Sequence, residues 1–114
     1  MVVLDGSHLV ERKEWHALAD VIFLTGAAQR PRAVLLDVRG SAFTPTAAET
    51  EMLASALAGC PWAAIVSDGG VSYGCARMVA TWAELRGSGA AAFVEETAAQ
   101  GWLAERLSEQ EPPA

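Results

Sequence analysis

Ala33-Val34-Leu35-Leu36-Asp37-Val38 is a near-continuous apolar run that follows Arg30-Pro31-Arg32 and closes on Arg39-Gly40. It shows no alternation of apolar and polar residues. A strand of that kind is covered on both faces, the situation of a parallel sheet between helices. Two further runs read the same way: Ala63-Ala64-Ile65-Val66-Ser67 after Cys60-Pro61-Trp62, and Ala90-Ala91-Ala92-Phe93-Val94 after Gly87-Ser88-Gly89. Val2-Val3-Leu4, with Leu9-Val10, supplies an N-terminal strand or hairpin around Asp5-Gly6.

Between these runs the apolar residues recur at three and four, which gathers each set on one side of a helix. Trp15, Leu18, Ala19, Ile22 and Phe23 share a face between Lys13 and Gln29. Met52, Leu53, Ala56 and Leu57 do so between Pro45 and Ala58, and Tyr73, Ala76, Val79, Ala80 and Ala83 do so up to Leu85. Ala98, Ala99, Trp102, Leu103 and Leu107 make the last stripe. Gly59 and Gly87 stand where helix-ending glycines belong. The order β-α-β-α-β-α-β-α predicts a single α/β domain over 1–108, with a four- to five-stranded, mostly parallel sheet flanked by four helices. Residues 109–114 read as a frayed tail. Val34, Leu36, Ile65, Val66 and Phe93 are the expected core of the sheet.

Composition narrows the function. Of 114 residues, 52% are hydrophobic and 19% charged, so the chain has the apolar content to fold unaided. Eight Lys+Arg against 14 Asp+Glu leave a net charge of -6. That balance argues against nucleic acid and against anionic membrane surfaces, both of which need a basic face. No apolar run reaches the roughly 18–20 residues of a membrane helix. Met1-Val2-Val3-Leu4-Asp5 lacks the basic start and long apolar run of a secretory signal, so a cytoplasmic location is expected. Cys60 and Cys75 form no CxxC pair, and His8 and His16 are the only histidines. No metal site or cofactor is expected from so few ligands, and both thiols are expected in a packed interior.

Parallel α/β folds bind beyond the carboxyl ends of their strands. Two turns lie there: Asp37-Val38-Arg39-Gly40-Ser41-Ala42-Phe43-Thr44-Pro45-Thr46 and Ser67-Asp68-Gly69-Gly70-Val71-Ser72-Tyr73-Gly74. Arg39, Ser41, Thr44 and Thr46 are candidate binding residues on one side; Asp68, Ser72, Tyr73 and Arg77 are candidates on the other. Helix capping competes for the threonines. Thr44-Pro45 reads as an N-cap with proline at the first helical position, and Thr46-Ala47-Ala48-Glu49 as a capping box. An Arg77 ion pair with Asp37 or Asp68 competes for the arginine.

The second turn matches neither a P-loop nor a dinucleotide fingerprint. Ile65-Val66-Ser67-Asp68-Gly69 lacks the first glycine of a nucleophile elbow, and no histidine follows it. Cys75 falls inside a predicted helix, away from where a sulfurtransferase nucleophile would sit. No catalytic residue is assigned. Trp15, Trp62, Trp82 and Trp102 do not alternate with basic residues, so core or groove filling is expected in place of base stacking.

The order of elements, together with four motifs, resembles the STAS domain in its SpoIIAA-like, Sec14-like branch. Leu35-Leu36-Asp37-Val38-Arg39-Gly40 followed by Phe43-Thr44-Pro45 is similar to the strand and turn before that family's second helix. Ala63-Ala64-Ile65-Val66-Ser67-Asp68 resembles its next central strand. Tyr73-Gly74-Cys75-Ala76-Arg77-Met78 is similar to an aromatic-Gly-x-Ala-Arg-Met helix start, and Phe93-Val94-Glu95-Glu96 through Trp102-Leu103 resembles the closing segment. The resemblance spans Gly6 to Leu107 and implies a non-enzymatic bacterial regulatory module. In serine-switched members an Asp-Ser-Ser-Gly turn carries a phosphoserine. Here that turn falls on Pro45-Thr46-Ala47-Ala48, which leaves Thr46 as the candidate phosphoacceptor.

Three functions follow as expectations. The first is a regulatory or interaction module that binds a protein partner. The second is a carrier of an apolar or amphipathic small ligand, as the Sec14-like branch implies. The third, an enzyme working from the Asp37 and Asp68 turns, is the weakest of the three, and no hydrolase, sulfurtransferase or nucleotide-dependent activity is expected. An isologous homodimer through helix faces is also expected.

Overall fold

In the computed structural model, which describes residues 1–110, the 33–38 run forms a strand (Ala33–Asp37) with Ala33 through Leu36 wholly buried. In chain order it is β2; β1 is Val2–Asp5, β3 is Trp62–Val66 and β4 is Gly89–Phe93. All pairings are parallel and the sheet order is β1-β2-β3-β4. Leu36 lies between Leu4 and Ile65, and Asp37 between Asp5 and Val66.

Sequential order with right-handed crossovers places every connecting helix on one face of the sheet. These helices are α1 (Ser7–Glu11) and α2 (Trp15–Gln29), then α3 (Ala47–Leu57) and α4 (Val71–Leu85). Leu18, Ile22, Leu53, Leu57 and Val79 close over Leu36, Val38 and Ile65 in the main core. Each fully buried Leu, Ile or Val contributes about 1.5–3 kcal/mol relative to exposure. The buried alanines Ala63, Ala76, Ala80, Ala83 and Ala90 let α4 come close to the sheet.

The opposite face is covered by α5 (Glu96–Gln110), whose Ala99 and Leu103 pack on Ala33, Leu35, Ala64 and Val66. Trp62 and Trp102 meet edge to face at 6.0 Å, and the Arg106 guanidinium lies 5.1 Å from the Trp102 ring and 5.9 Å from Trp62. Gly89 is required beneath this cluster, because a Cβ there would run into the Trp62 ring. Among the described residues no helix is long and apolar enough to cross a membrane.

Among the described residues the sheet has four strands and there are five helices, one more helix than the pattern predicts. The addition is α1: Leu9 and Val10 belong to a short helix, not to a strand or hairpin. The Asp5 carboxylate accepts the Ser7 N–H at 3.0 Å and the Ser7 hydroxyl at 2.7 Å, which turns the chain before a second strand can form. Val10 then enters the main core.

Phe23 is 62% exposed. The buried stripe of α2 is Trp15, Leu18, Ala19 and Ile22, and its spacing carries Phe23 past the edge of the core. Phe93 is half-buried at an edge strand, against Trp102 at 5.7 Å. Of the last stripe, Ala99 is buried as expected and Ala98 faces solvent. Cys60 is buried, and burial raises its thiol pKa; Cys75 is only partly covered. The boundary expected at 108 falls inside α5, which runs on to Gln110; residues 111–114 lie outside the described residues.

Candidate functional site

Aspartates mark the carboxyl ends of the first three strands: Asp5 ends β1, Asp37 ends β2, and Asp68 stands two residues beyond β3. Each is held by its own turn or its neighbour's. Asp5 caps Ser7, and the hydrogen bond from the Ser7 hydroxyl holds its carboxyl below the usual range. Asp37 receives the Arg39 backbone N–H and Nε, both at 3.0 Å on Oδ1, and Arg39 Nη2 at 2.7 Å on Oδ2. This two-pronged hydrogen bond lowers the Asp37 pKa and raises that of Arg39. Arg39 Nη2 also comes within 3.7 Å of Glu96 on α5. Asp68 accepts the Gly40 N–H at 2.9 Å. Among the described residues, no cluster of three or more Asp, Glu, His or Cys could hold a metal. Each of the three aspartates accepts a backbone N–H of a loop and so holds a turn.

The two loops are tied together. The Val38 N–H reaches the Val66 carbonyl at 2.9 Å and extends the β2–β3 ladder past the strand ends. The Phe43 N–H donates to Ser72 Oγ at 3.0 Å. The Phe43 ring is fully buried, with Trp15 edge-on at 5.6 Å. Ser67 is also buried, and its hydroxyl donates to the Asp68 carbonyl at 3.0 Å.

Thr46 is the N-cap of α3: its hydroxyl accepts the Glu49 N–H at 3.2 Å, and Glu49 Oε1 accepts the Thr46 N–H at 2.8 Å. The capping box is thus the cap in use, and Thr44-Pro45 lies outside the helix. Thr44 is exposed and Ser41 half-buried; neither side chain makes a hydrogen bond among the described residues.

Tyr73 and Arg77 stand apart from this network. They lie one turn apart on α4, with the Arg77 guanidinium 6.0 Å from the Tyr73 ring. Among the described residues no carboxylate lies within ion-pair distance of Arg77; Arg39, not Arg77, takes Asp37. Both side chains line an open groove of about 240 Å³ along β4, shared with Thr81, Glu84 and Ala90–Ala92. Apart from Ser41 and Thr44, the candidate residues therefore divide into two groups. Arg39, Asp68, Ser72 and Thr46 shape the loops, while Tyr73 and Arg77 belong to a helix surface.

Gly74, Arg77, Met78, Thr81 and Trp82 line an adjoining depression of about 360 Å³. Sequence reasoning names Trp82 only as a core or groove filler and Met78 only within the Tyr73–Met78 motif, and it does not name Thr81. Their signal was present in the spacing, since Arg77/Thr81 and Met78/Trp82 are pairs at four, set apart from the buried Ala76, Val79, Ala80 and Ala83. No family model matches this chain, and neither a curated protein nor a solved structure matches it significantly.

Proposed function

We propose that the chain is a non-enzymatic interaction module of the STAS, SpoIIAA-like type that acts in the cytoplasm by protein–protein contact. The contact surface in this reading is the outer face of α4. The observation that carries it is the make-up of that face, where Tyr73, Arg77, Met78 and Trp82 stand together around shallow depressions. Tyr, Trp, Arg and Met are the residue types enriched where proteins meet, and the first three dominate binding energy there. Val71 extends the apolar rim and is 74% exposed. Arg77 supplies a cation for a partner carboxylate.

The carrier reading calls for an enclosed apolar cavity that buries most of a ligand. The aromatic residues that would line one are packed on each other instead, Trp15 with Phe43 and Trp62 with Trp102 and Phe93. The enzyme reading calls for a free nucleophile beside a base. The Ser67 hydroxyl is bonded to a carbonyl and the Ser72 hydroxyl accepts an amide, while His8 and His16 are exposed on α1 and α2.

Native mass spectrometry of the protein purified from its own cell tests the proposal. The expected spectrum contains a stoichiometric complex with another protein and no retained small molecule. A stoichiometric apolar ligand would overturn the proposal in favour of the carrier.

A further inference from the structure

Helix α2 carries exposed apolar residues on sides other than the one it buries. Leu18, Ala19 and Ile22 are buried in the core, yet Val21, Phe23 and Leu24 on other sides of the helix are 42%, 62% and 63% exposed. A large exposed apolar side chain such as Phe23, outside the buried stripe, marks a face that another surface can cover. Along the outer side Asp20, Phe23 and Ala27 follow one another at three and four, the spacing of a coiled-coil seam, and Arg30 stands just past the helix end as its left-handed C-cap. Beside the seam lies an open depression of about 370 Å³ between α2 and α3, lined by Phe23, Gly26, Ala27, Arg30, Ala56 and Gly59. Phe23 and Arg30 are its only large side chains.

We propose that this face binds α2 of a second copy, antiparallel, about a two-fold axis level with Thr25. The axis sets Asp20 against the partner's Arg30 and Phe23 against the partner's Ala27. A large residue then meets a small one, and a carboxylate meets a guanidinium, twice over. Each Phe23 ring enters the depression floored by Gly26, Ala56 and Gly59 in the other subunit.

The occupant is a second copy because the patch is complementary to itself. Asp20 and Arg30 lie five residues either side of Thr25, and Phe23 and Ala27 two residues either side. An isologous interface needs this pairing of residue i with j and j with i, whereas an unrelated partner does not. Among the described residues neither Asp20 nor Arg30 has an ion-pair partner within its own chain. Helix α3 separates this face from α4, so the dimer leaves the proposed partner surface open.

Sedimentation velocity of the full chain, from low to high micromolar concentration, reads the association directly. The expected result is a concentration-dependent dimer that weakens at least about a hundredfold in Phe23→Ala, which removes two symmetry-related anchoring contacts, each a factor of ten at about 1.4 kcal/mol. Asp20→Arg sets like charges opposite each other and dissociates the dimer, and Asp20→Arg with Arg30→Asp restores it. All three positions are exposed, so unchanged circular dichroism and melting temperature show that the fold is kept. A monomer throughout the range overturns the proposal. So does a dimer whose strength is unaffected by both Phe23→Ala and Asp20→Arg.

Discussion

The backbone N–H of Phe43 donates to the hydroxyl of Ser72 at 3.0 Å, joining residues 29 positions apart, and both residues are buried. This bond fastens the loop after β2 to the first turn of α4. Ser72→Ala leaves the buried Phe43 amide without a partner, which costs about 1–3 kcal/mol. In a domain of this size each kcal/mol lowers Tm by about 4 °C. Thermal melts of Ser72→Ala should therefore fall by several degrees. An unchanged Tm would mean that the loops are not coupled through this bond.

The Asp37–Arg39 pair predicts an acid limit to stability. Hydrogen bonding to Arg39 lowers the folded-state pKa of Asp37 below its ordinary value of 3.8. Its contribution is therefore fully present above that value and is lost as pH falls through the lower, folded-state pKa. Asp37→Asn should lose stability at neutral pH and show a shallower fall on acidification below about pH 4. Urea unfolding at a series of pH values checks this. Parallel curves for the two proteins would show that the pair contributes no linkage.

Thr46 separates a structural role from a switch. Its hydroxyl caps α3 and Glu49 returns the bond. Thr46→Ala should cost about 1 kcal/mol. Thr46→Ser, which keeps the hydroxyl oxygen, should cost less. Denaturant unfolding of the two variants measures the difference. If Thr46→Ala loses no stability, capping is not the work of this side chain and the phosphoacceptor reading gains ground.

How much of this was legible in the sequence depends on what each residue had to reveal. β2 and β3 are legible because strands covered on both faces lose their alternation, β4 because it is an unbroken apolar run even though it lies half-buried at the sheet edge, and the Thr46–Glu49 spacing announces its capping box. The helix α1 was hidden because Ser7–Glu11 is too short to show a period, and the Asp5–Ser7 turn that makes it is a three-dimensional fact. On α2, Ile22 and Phe23 are equally apolar neighbours, so the pattern alone did not say which of them turns outward. In the site, Arg39 has the composition of a binding residue. Only geometry shows its guanidinium folding back onto Asp37 while Arg77 remains without a carboxylate among the described residues.

The outer face of α4 yields the sharpest functional prediction. Tyr73 is half-buried and Arg77 exposed, and their mutual contact at 6.0 Å is a surface cation–π pair. Such pairs contribute about 0.5–1 kcal/mol. Tyr73→Ala with Arg77→Ala should therefore lower Tm by only a few degrees. Side chains of these types at an interface are worth upwards of about 2 kcal/mol each when they anchor it. Loss of both should weaken a protein partner by at least about a hundredfold, since every 1.4 kcal/mol is a factor of ten. Titration calorimetry with the partner identified by native mass spectrometry, run beside thermal melts of the same variant, measures the two effects independently. Binding abolished with the fold intact places the contact on α4. Binding unchanged, together with a fall in Tm well beyond that of a surface pair, would make Tyr73 and Arg77 structural and move the partner site to another face.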